Sequence, residues 1–183
     1  MSAGGGREDG KVWDGIVQEV DFESGEVIFE WRSLEHVDVD ESYIKPPEDP
    51  EYLYDYLHIN SIHVEPDGNL LVSARNIWTV FKIDRDTGEI LWRLGGKESD
   101  FEMGPDTRTA FQHDARRQID GTITIFDNGA HPKVHEQSRT IVVELDEEEM
   151  SAALMHEYTS PEEVIATSQG NVQVLPNGNV FVG

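Results

Sequence analysis

The chain has 183 residues, 37% hydrophobic and 28% charged, which is enough for one or two domains with a buried core. Fourteen lysines and arginines face 37 acidic residues, a formal net charge of -23, so phosphate backbones and anionic membrane surfaces are poor partners. The absence of cysteine excludes disulfides, thiolate metal sites and thiol catalysis.

Residues 1–11, MSAGGGREDGK, are small, polar and glycine-rich, and are expected to be disordered. They lack the apolar segment of a signal peptide. No apolar run approaches the ~20 residues of a membrane span. From residue 12 to 183 strand signals dominate, and one domain is expected. GIVQEVDF (15–22), EVIFEW (26–31), NLLVSA (69–74), TVFKID (79–84), EILWRL (89–94), TITIFD (122–127), TIVVELD (140–146) and NVQVLP (171–176) are short and rich in β-branched and aromatic residues. Ser24-Gly25, Asp67-Gly68, Thr87-Gly88, Asp120-Gly121 and Asn177-Gly178 separate them as hairpin turns. SPEEVI (160–165) is expected to open one helical turn, capped by Ser160 with Glu163 three residues on.

Two hairpin units repeat. VDFESGEVIFEW (20–31) aligns with IDRDTGEILWRL (83–94), and more weakly with LDEEEMSAALMHEY (145–158), so that Asp21, Asp84 and Asp146 coincide. This register favours strand over helix for 152–158. The second unit, HINSIHVEPDGNLLVSAR (58–75), HDARRQIDGTITIFDN (113–128) and GNVQVLPNGNVFVG (170–183), aligns on Gly68, Gly121 and Gly178. Hairpin plus hairpin makes four strands in roughly 50–60 residues, the size of a β-propeller blade. The expected fold is all-β. It comprises the outer hairpin of one blade, two whole blades and the inner hairpin of a fourth, about three blades in all. Since a propeller closes with ~4–8 blades and the chain stops at NVFVG inside a strand, the expectation is part of a propeller, from a truncated gene product or a shortened paralogue. Open strand edges would let two copies close a ring.

In such a blade the entry to the innermost strand and the exit from the next lie on one rim. His58 stands at the first position and Arg75 at the second; His113 is expected to occupy nearly the place of His58 one blade later. Asp127-Asn128 holds the Arg75 position in that blade, and Gln169 and Asn171 open the inner strand of the last. Single histidines in repeats are more often structural than catalytic, but two with an arginine on one rim suit anion chemistry.

HINSIHVEPDGNLLVSARN, GEILWRLGGKESDF and FQHDARRQIDG with FDNG, taken in order, resemble the arylsulfotransferase family, and QEVDFESGEVIFEWRSLEHVDVDESY (18–43) resembles its eukaryotic, largely fungal, branch. The resemblance runs from about residue 12 to the end. It implies a six-bladed propeller that moves a sulfuryl group from a phenolic sulfate ester to another phenol, through a sulfated histidine and without a nucleotide donor. On that resemblance His113 matches the nucleophile, His58 a second active-site histidine and Arg75 the sulfate-binding arginine. A further upstream histidine of the family has no counterpart in this sequence. Family members are commonly exported. The partners implied are an aryl sulfate and a phenol; no cofactor or metal is implied. The alternative is an inactive or truncated propeller that serves as a binding module.

The chemistry agrees with these residue types. Sulfuryl transfer, like phosphoryl transfer, spreads charge over equatorial oxygens with entering and leaving atoms in line. Neutral imidazole is a nitrogen nucleophile near pH 7, and a guanidinium fork suits sulfate oxygens. His58 suits the general acid for a phenolate. Asn60 would support a histidine or donate to the sulfate, and Arg116 would add positive potential. At most one of Arg116 and Arg117 can face the channel. Asp114 is expected to cap a turn.

Other motifs carry less. His58 and His63, five apart on a strand, are expected on opposite faces, with His63 structural. His131 and His135 flank PKV in a loop without evident partner ligands. DRDTGE (84–89) has glycine where the third ligand of a calcium loop should be and no matching downstream Glu, and reads as a turn. LGGK (94–97) lacks the first glycine and the Ser/Thr of a phosphate loop. DEEE (146–149) reads as a solvated turn.

Overall fold

The repeated aspartates and asparagines close the hairpins. In the computed structural model, which describes residues 10–183, Asp21 Oδ1 accepts the N–H groups of Glu23 and Ser24 at 3.1 and 2.7 Å. Asp84 Oδ1 does the same for Asp86 and Thr87 at 2.9 and 2.8 Å, and Asp146 for Glu148 and Glu149 at 3.0 and 2.9 Å. A side chain bonded to backbone two residues on mimics a turn. The Ser24 and Thr87 bonds, backbone before side chain, hold the Asp21 and Asp84 carboxyls below their ordinary value. DRDTGE is therefore a hairpin turn whose carboxylate is engaged by backbone. At the other turns Asp67, Asp120 and Asn177 accept from Asn69, Thr122 and Asn179 at 3.0, 3.0 and 3.1 Å. Gly68 and Gly121 follow at φ 91° and 89°, a left-handed region that a Cβ would strain.

Between these turns run β1 (Lys11–Val12), β2 (Ile16–Val20), β3 (Val27–Arg32), β4 (Leu53–Tyr54), β5 (Ile59–Val64), β6 (Leu70–Ala74), β7 (Thr79–Ile83), β8 (Ile90–Gly95), β9 (Glu102–Met103), β10 (His113–Arg117), β11 (Ile123–Asp127), β12 (Arg139–Asp146), β13 (Ser151–Thr159), β14 (Val172–Val174) and β15 (Val180–Val182). Two short 3-10 turns, Ser33–Glu35 and Val39–Glu41, interrupt the long link after β3. The fold is all-β, without an α-helix among the described residues and without a helix long and apolar enough to cross a membrane.

The sheets follow chain order. β2 and β3 form an antiparallel hairpin, β5-β6-β7-β8 a four-stranded antiparallel sheet, β10-β11-β12-β13 a second one with β9 added in parallel, and β14-β15 a last hairpin. β1 and β4 form a small parallel pair. An outer hairpin, two complete sheets and an inner hairpin are consistent with a partial β-propeller. The expected strand over 152–158 is present as β13.

Two expectations need correction. SPEEVI forms no helix: Ser160 Oγ accepts only the Glu162 N–H at 3.2 Å, while Val164 and Ala166 are pinned to Ser138. The Ser138 N–H donates to Val164 O at 2.9 Å, and Ala166 N–H donates to Ser138 Oγ at 2.8 Å. These tertiary bonds hold the segment open against its local preference. Of the N-terminal stretch, residues 1–9 lie outside the described residues, and Lys11 opens β1.

Period-two alternation stacks the sheets. Leu70, Val72, Phe81 and Ile83 point to one core with Val17, Trp31 and Leu57. Leu71, Val80, Trp92 and Leu94 point oppositely, against Ala115, Ile123, Ile125, Ile141 and Val143 of the second sheet. That explains why β6 is buried along its whole length: both faces are covered, as in a stacked blade. Each fully buried aliphatic side chain contributes about 1.5–3 kcal/mol.

An ionic cluster closes the outer part of this interface. Glu65, whose side chain is 1% exposed, accepts from Arg117 Nε at 2.7 Å and lies 3.1 Å from Lys82 Nζ. Arg117 also reaches Glu147 at 2.8 Å, and Lys82 reaches Asp67 at 2.8 Å. Arg117→Met should remove the donor to Glu65 Oε1 and lower the unfolding free energy in urea by about 3 kcal/mol, as for a broken buried pair. A loss below about 1 kcal/mol would mean the pair behaves as a solvated one.

Candidate functional site

One rim of the two complete sheets gathers His58, Arg75, Phe111 and His113. The hairpin β5–β6 is extended beyond its strands by backbone bonds from Arg75 N–H to His58 O and Asn76 N–H to Leu57 O, both 3.0 Å. His58 is left-handed, at φ 55°. Its Nδ1 meets the carboxylate of Asp55, and the Asp55 carbonyl accepts from Asn76 Nδ2. The ring is therefore held through Nδ1, with Nε2 left for other partners.

Arg75 donates from Nε to Asn76 Oδ1 at 3.1 Å, and its Cζ lies 4.2 Å from the centroid of the Phe111 ring. A cation over an aromatic face gains about 0.5–2 kcal/mol. Among the described residues no carboxylate lies within ion-pair distance of this guanidinium, notable in a chain with 37 acidic residues. Burial lowers its pKa while the Asp55 charge raises it. A half-buried arginine without an ion-pair partner is a ready receptor for an anion.

His113 is 7% exposed. Its Nδ1 lies 2.7 Å from Asn128 Oδ1, and its Nε2 accepts the Gln169 N–H at 3.2 Å. Burial lowers its pKa below 6.5; the positive charges of Arg75 and His58 push the same way, and the Asn128 contact opposes them. The imidazole is therefore neutral near pH 7 and lies within the electrostatic reach of Arg75.

The remaining candidates are placed as follows. Asn60 donates from Nδ2 to Gln112 O at 2.6 Å, bridging the two sheets, and its Oδ1 is buried without a partner. Asp114 accepts from Val172 N–H at 2.8 Å and from Arg116 Nε at 2.7 Å. Arg116 is half-exposed beside it, and Arg117 points instead into the ionic cluster between the sheets. His63 sits on β5, beyond a bulge at Ile59/Ser61 that breaks the simple alternation expected between it and His58. His131 packs edge-on against Phe111 at 5.5 Å. His135 Nε2 lies 3.1 Å from Asp127, which also holds the Arg139 Nε at 2.9 Å. Among the described residues no three His, Asp or Glu side chains are grouped to hold a metal ion. Lys97, from LGGK, donates to the carbonyls of Asp40 and Ser42 at 2.8 and 2.7 Å.

His113, expected at nearly the place of His58 one blade later, stands two residues further along. Gly129 N–H bonds to Ala110 O as Asn76 N–H does to Leu57 O. Carrying that register forward pairs His58 with Phe111, both left-handed at φ 55° and 61°. Asn60 then pairs with His113, and each reaches the backbone of the next sheet's inner strand, Gln112 in one case and Gln169 in the other. The two histidines thus approach from different depths of the rim. Asp55 and Phe111 were not singled out from sequence. Asn128 was visible only as the counterpart of Arg75, and the turn glycines were the signal that placed it.

No curated protein matches the chain. The family model described as arylsulfotransferase (ASST) matches residues 1–183, the whole sequence. The chain belongs to the arylsulfotransferase family.

Proposed function

We propose that this protein transfers a sulfuryl group from a phenolic sulfate ester to a phenol through a sulfohistidine at His113. The observation that carries the reading is a buried imidazole, kept neutral by desolvation, beside an arginine with no ion-pair partner among the described residues. The reaction runs in two balanced halves. First, the His113 Nε2 lone pair forms an N–S bond as the S–O bond to the aryl group breaks. The phenolate leaves with that electron pair and takes a proton from His58 Nε2. Second, the acceptor phenol gives its proton to His58 as its oxygen attacks sulfur, and the N–S electron pair returns to His113. Arg75 donates from its Nη nitrogens to the sulfuryl oxygens, where charge accumulates in the transition state. Asp55 keeps the His58 ring oriented through Nδ1. Phe111 offers Arg75 a π face and brings apolar surface beside an aryl group. Asn60 and Arg116 complete the substrate-binding set in this reading, with the unpartnered Asn60 Oδ1 available to a hydroxyl.

A binding module without turnover is the second reading. It draws on one contact: Gln169 N–H already meets the nitrogen that must attack. Catalysis requires that 3.2 Å contact to give way.

His113→Ala should abolish transfer from a chromogenic aryl sulfate to a phenol and remove the acid-labile sulfate label from the protein. Arg75→Lys should lower kcat by about 10–100-fold, since a point charge replaces a planar fork. Label retained on His113→Ala would exclude His113 as nucleophile, and no turnover by the wild type under any donor tried would favour the binding module.

The pH dependence has a fixed sign. The lowered pKa of His113 places the acid limb of kcat below 6.5. The unfolded chain binds more protons between the folded value and 6.5, so the His113 contribution to stability is fully present above 6.5 and is lost as pH falls through the folded value. Urea midpoints of the wild type and His113→Gln, measured across this window, should converge as the pH falls. Parallel midpoints would mean that burial does not depress this histidine.

A further inference from the structure

We infer that Asn128 is a positioning residue that fixes the tautomer of His113, with the proton on Nδ1 and the lone pair on Nε2. The inference rests on the reading of His113 as nucleophile and names the group that selects its reacting nitrogen. The argument is one of donor and acceptor counting. An asparagine side chain has one acceptor oxygen and one NH2 with two donors. Asn128 Nδ2 lies 3.0 Å from Ala166 O and 2.8 Å from Gln169 O. Carbonyl oxygens can only accept, so both donors are committed and the amide cannot flip. Oδ1 therefore faces His113 Nδ1 at 2.7 Å, and it too can only accept. The proton must sit on Nδ1. The other nitrogen is then the acceptor, which agrees with the Gln169 N–H directed at Nε2 at 3.2 Å. Four polar contacts among four residues admit one assignment.

The opposite tautomer would set two lone pairs against each other across 2.7 Å and point the ring N–H at the Gln169 N–H. It would also leave no lone pair at Nε2 for sulfur. The same amide holds the segment 166–169 that carries the capping N–H, so Asn128 sets both the ring and its neighbour. Ser138 Oγ reinforces this by donating to Asn128 O at 2.8 Å.

The test reads the ring directly, by nitrogen-15 chemical shifts and long-range proton–nitrogen correlations of His113 in the 183-residue chain at pH above 6.5. The wild type should show a protonated Nδ1 and a pyridine-type Nε2. Asn128→Ala should move the population toward the Nε2–H form that free imidazole prefers. Asn128→Asp keeps an acceptor at the same place, so it should retain Nδ1–H while raising the His113 pKa and shifting the acid limb of kcat upward. Both variants should lower kcat by about 10–100-fold with little change in KM, the scale for an outer partner that orients a reacting group. An Nε2–H wild type overturns the assignment without any variant, and so does Asn128→Asp with an unchanged His113 pKa. Turnover is read separately: a wild type with Nδ1–H intact but no sulfuryl transfer overturns the function proposed above and leaves the tautomer assignment standing.

Discussion

Neighbouring sheets in this chain meet face to face and cannot share a ladder. The polar backbone at the start of each inner strand must therefore find partners by other means, because a buried and unpaired N–H or C=O is costly. Side chains supply them. Ser61 Oγ takes the Ala115 N–H at 3.2 Å, and Asp114, at the same place one sheet later, takes the Val172 N–H at 2.8 Å. One residue earlier, Asn60 donates to the Gln112 carbonyl and His113 accepts the Gln169 N–H. Gln112 is itself fully buried and donates to Ser73, Ala74 and Thr79 of the preceding sheet at 3.2–3.3 Å. The rim is where consecutive sheets are joined, and the candidate site occupies that joint.

This location gives the site its electrostatic character. A surface with net charge -23 would repel a sulfate ester in bulk. At the rim the acidic residues are already committed: Asp114 to backbone and Arg116, Asp127 to Arg139 and His135. The cation of Arg75 meets no carboxylate at ion-pair distance among the described residues. Burial that strips water from His113 also strips it from Arg75, which strengthens any contact with an anion. The same burial keeps the imidazole neutral and, in the proposed reaction, suits it to attack and the guanidinium to receive an anion.

The hairpins were legible in the sequence because their signals are local. An Asp or Asn two residues before the N–H that donates to it, with a glycine that tolerates a left-handed conformation, fixes each turn without reference to the rest of the chain. The repeat of Asp21, Asp84 and Asp146 was legible for the same reason, and it settled 152–158 as strand against an ambiguous composition. SPEEVI failed because its fate is set by Ser138, more than 20 residues away, whose bonds to Val164 and Ala166 outweigh a cap. The place expected for His113 was only approximate: Gly68 and Gly121 lie 53 residues apart, and that spacing sets Phe111 opposite His58 and His113 opposite Asn60. Both inner strands also carry a bulge, at Ile59/Ser61 and His113/Arg116, which hydrophobic alternation does not record.

The same register shows how the two repeats differ. One position, left-handed in both sheets, carries His58 in the first and Phe111 in the second. The next facing position carries Asn60 in the first and His113 in the second. A duplicated hairpin thus presents an imidazole and a hydrogen-bonding amide from one sheet, and an aromatic face and an imidazole from the other, while Arg75 in the first sheet is answered by Asn128 in the second. In the proposed reaction each repeat alone has half of the chemistry. The joint that satisfies the inner-strand backbone brings the halves together, so any substitution that loosens it, at Gln112 as much as at His113, acts on stability and on the site at once.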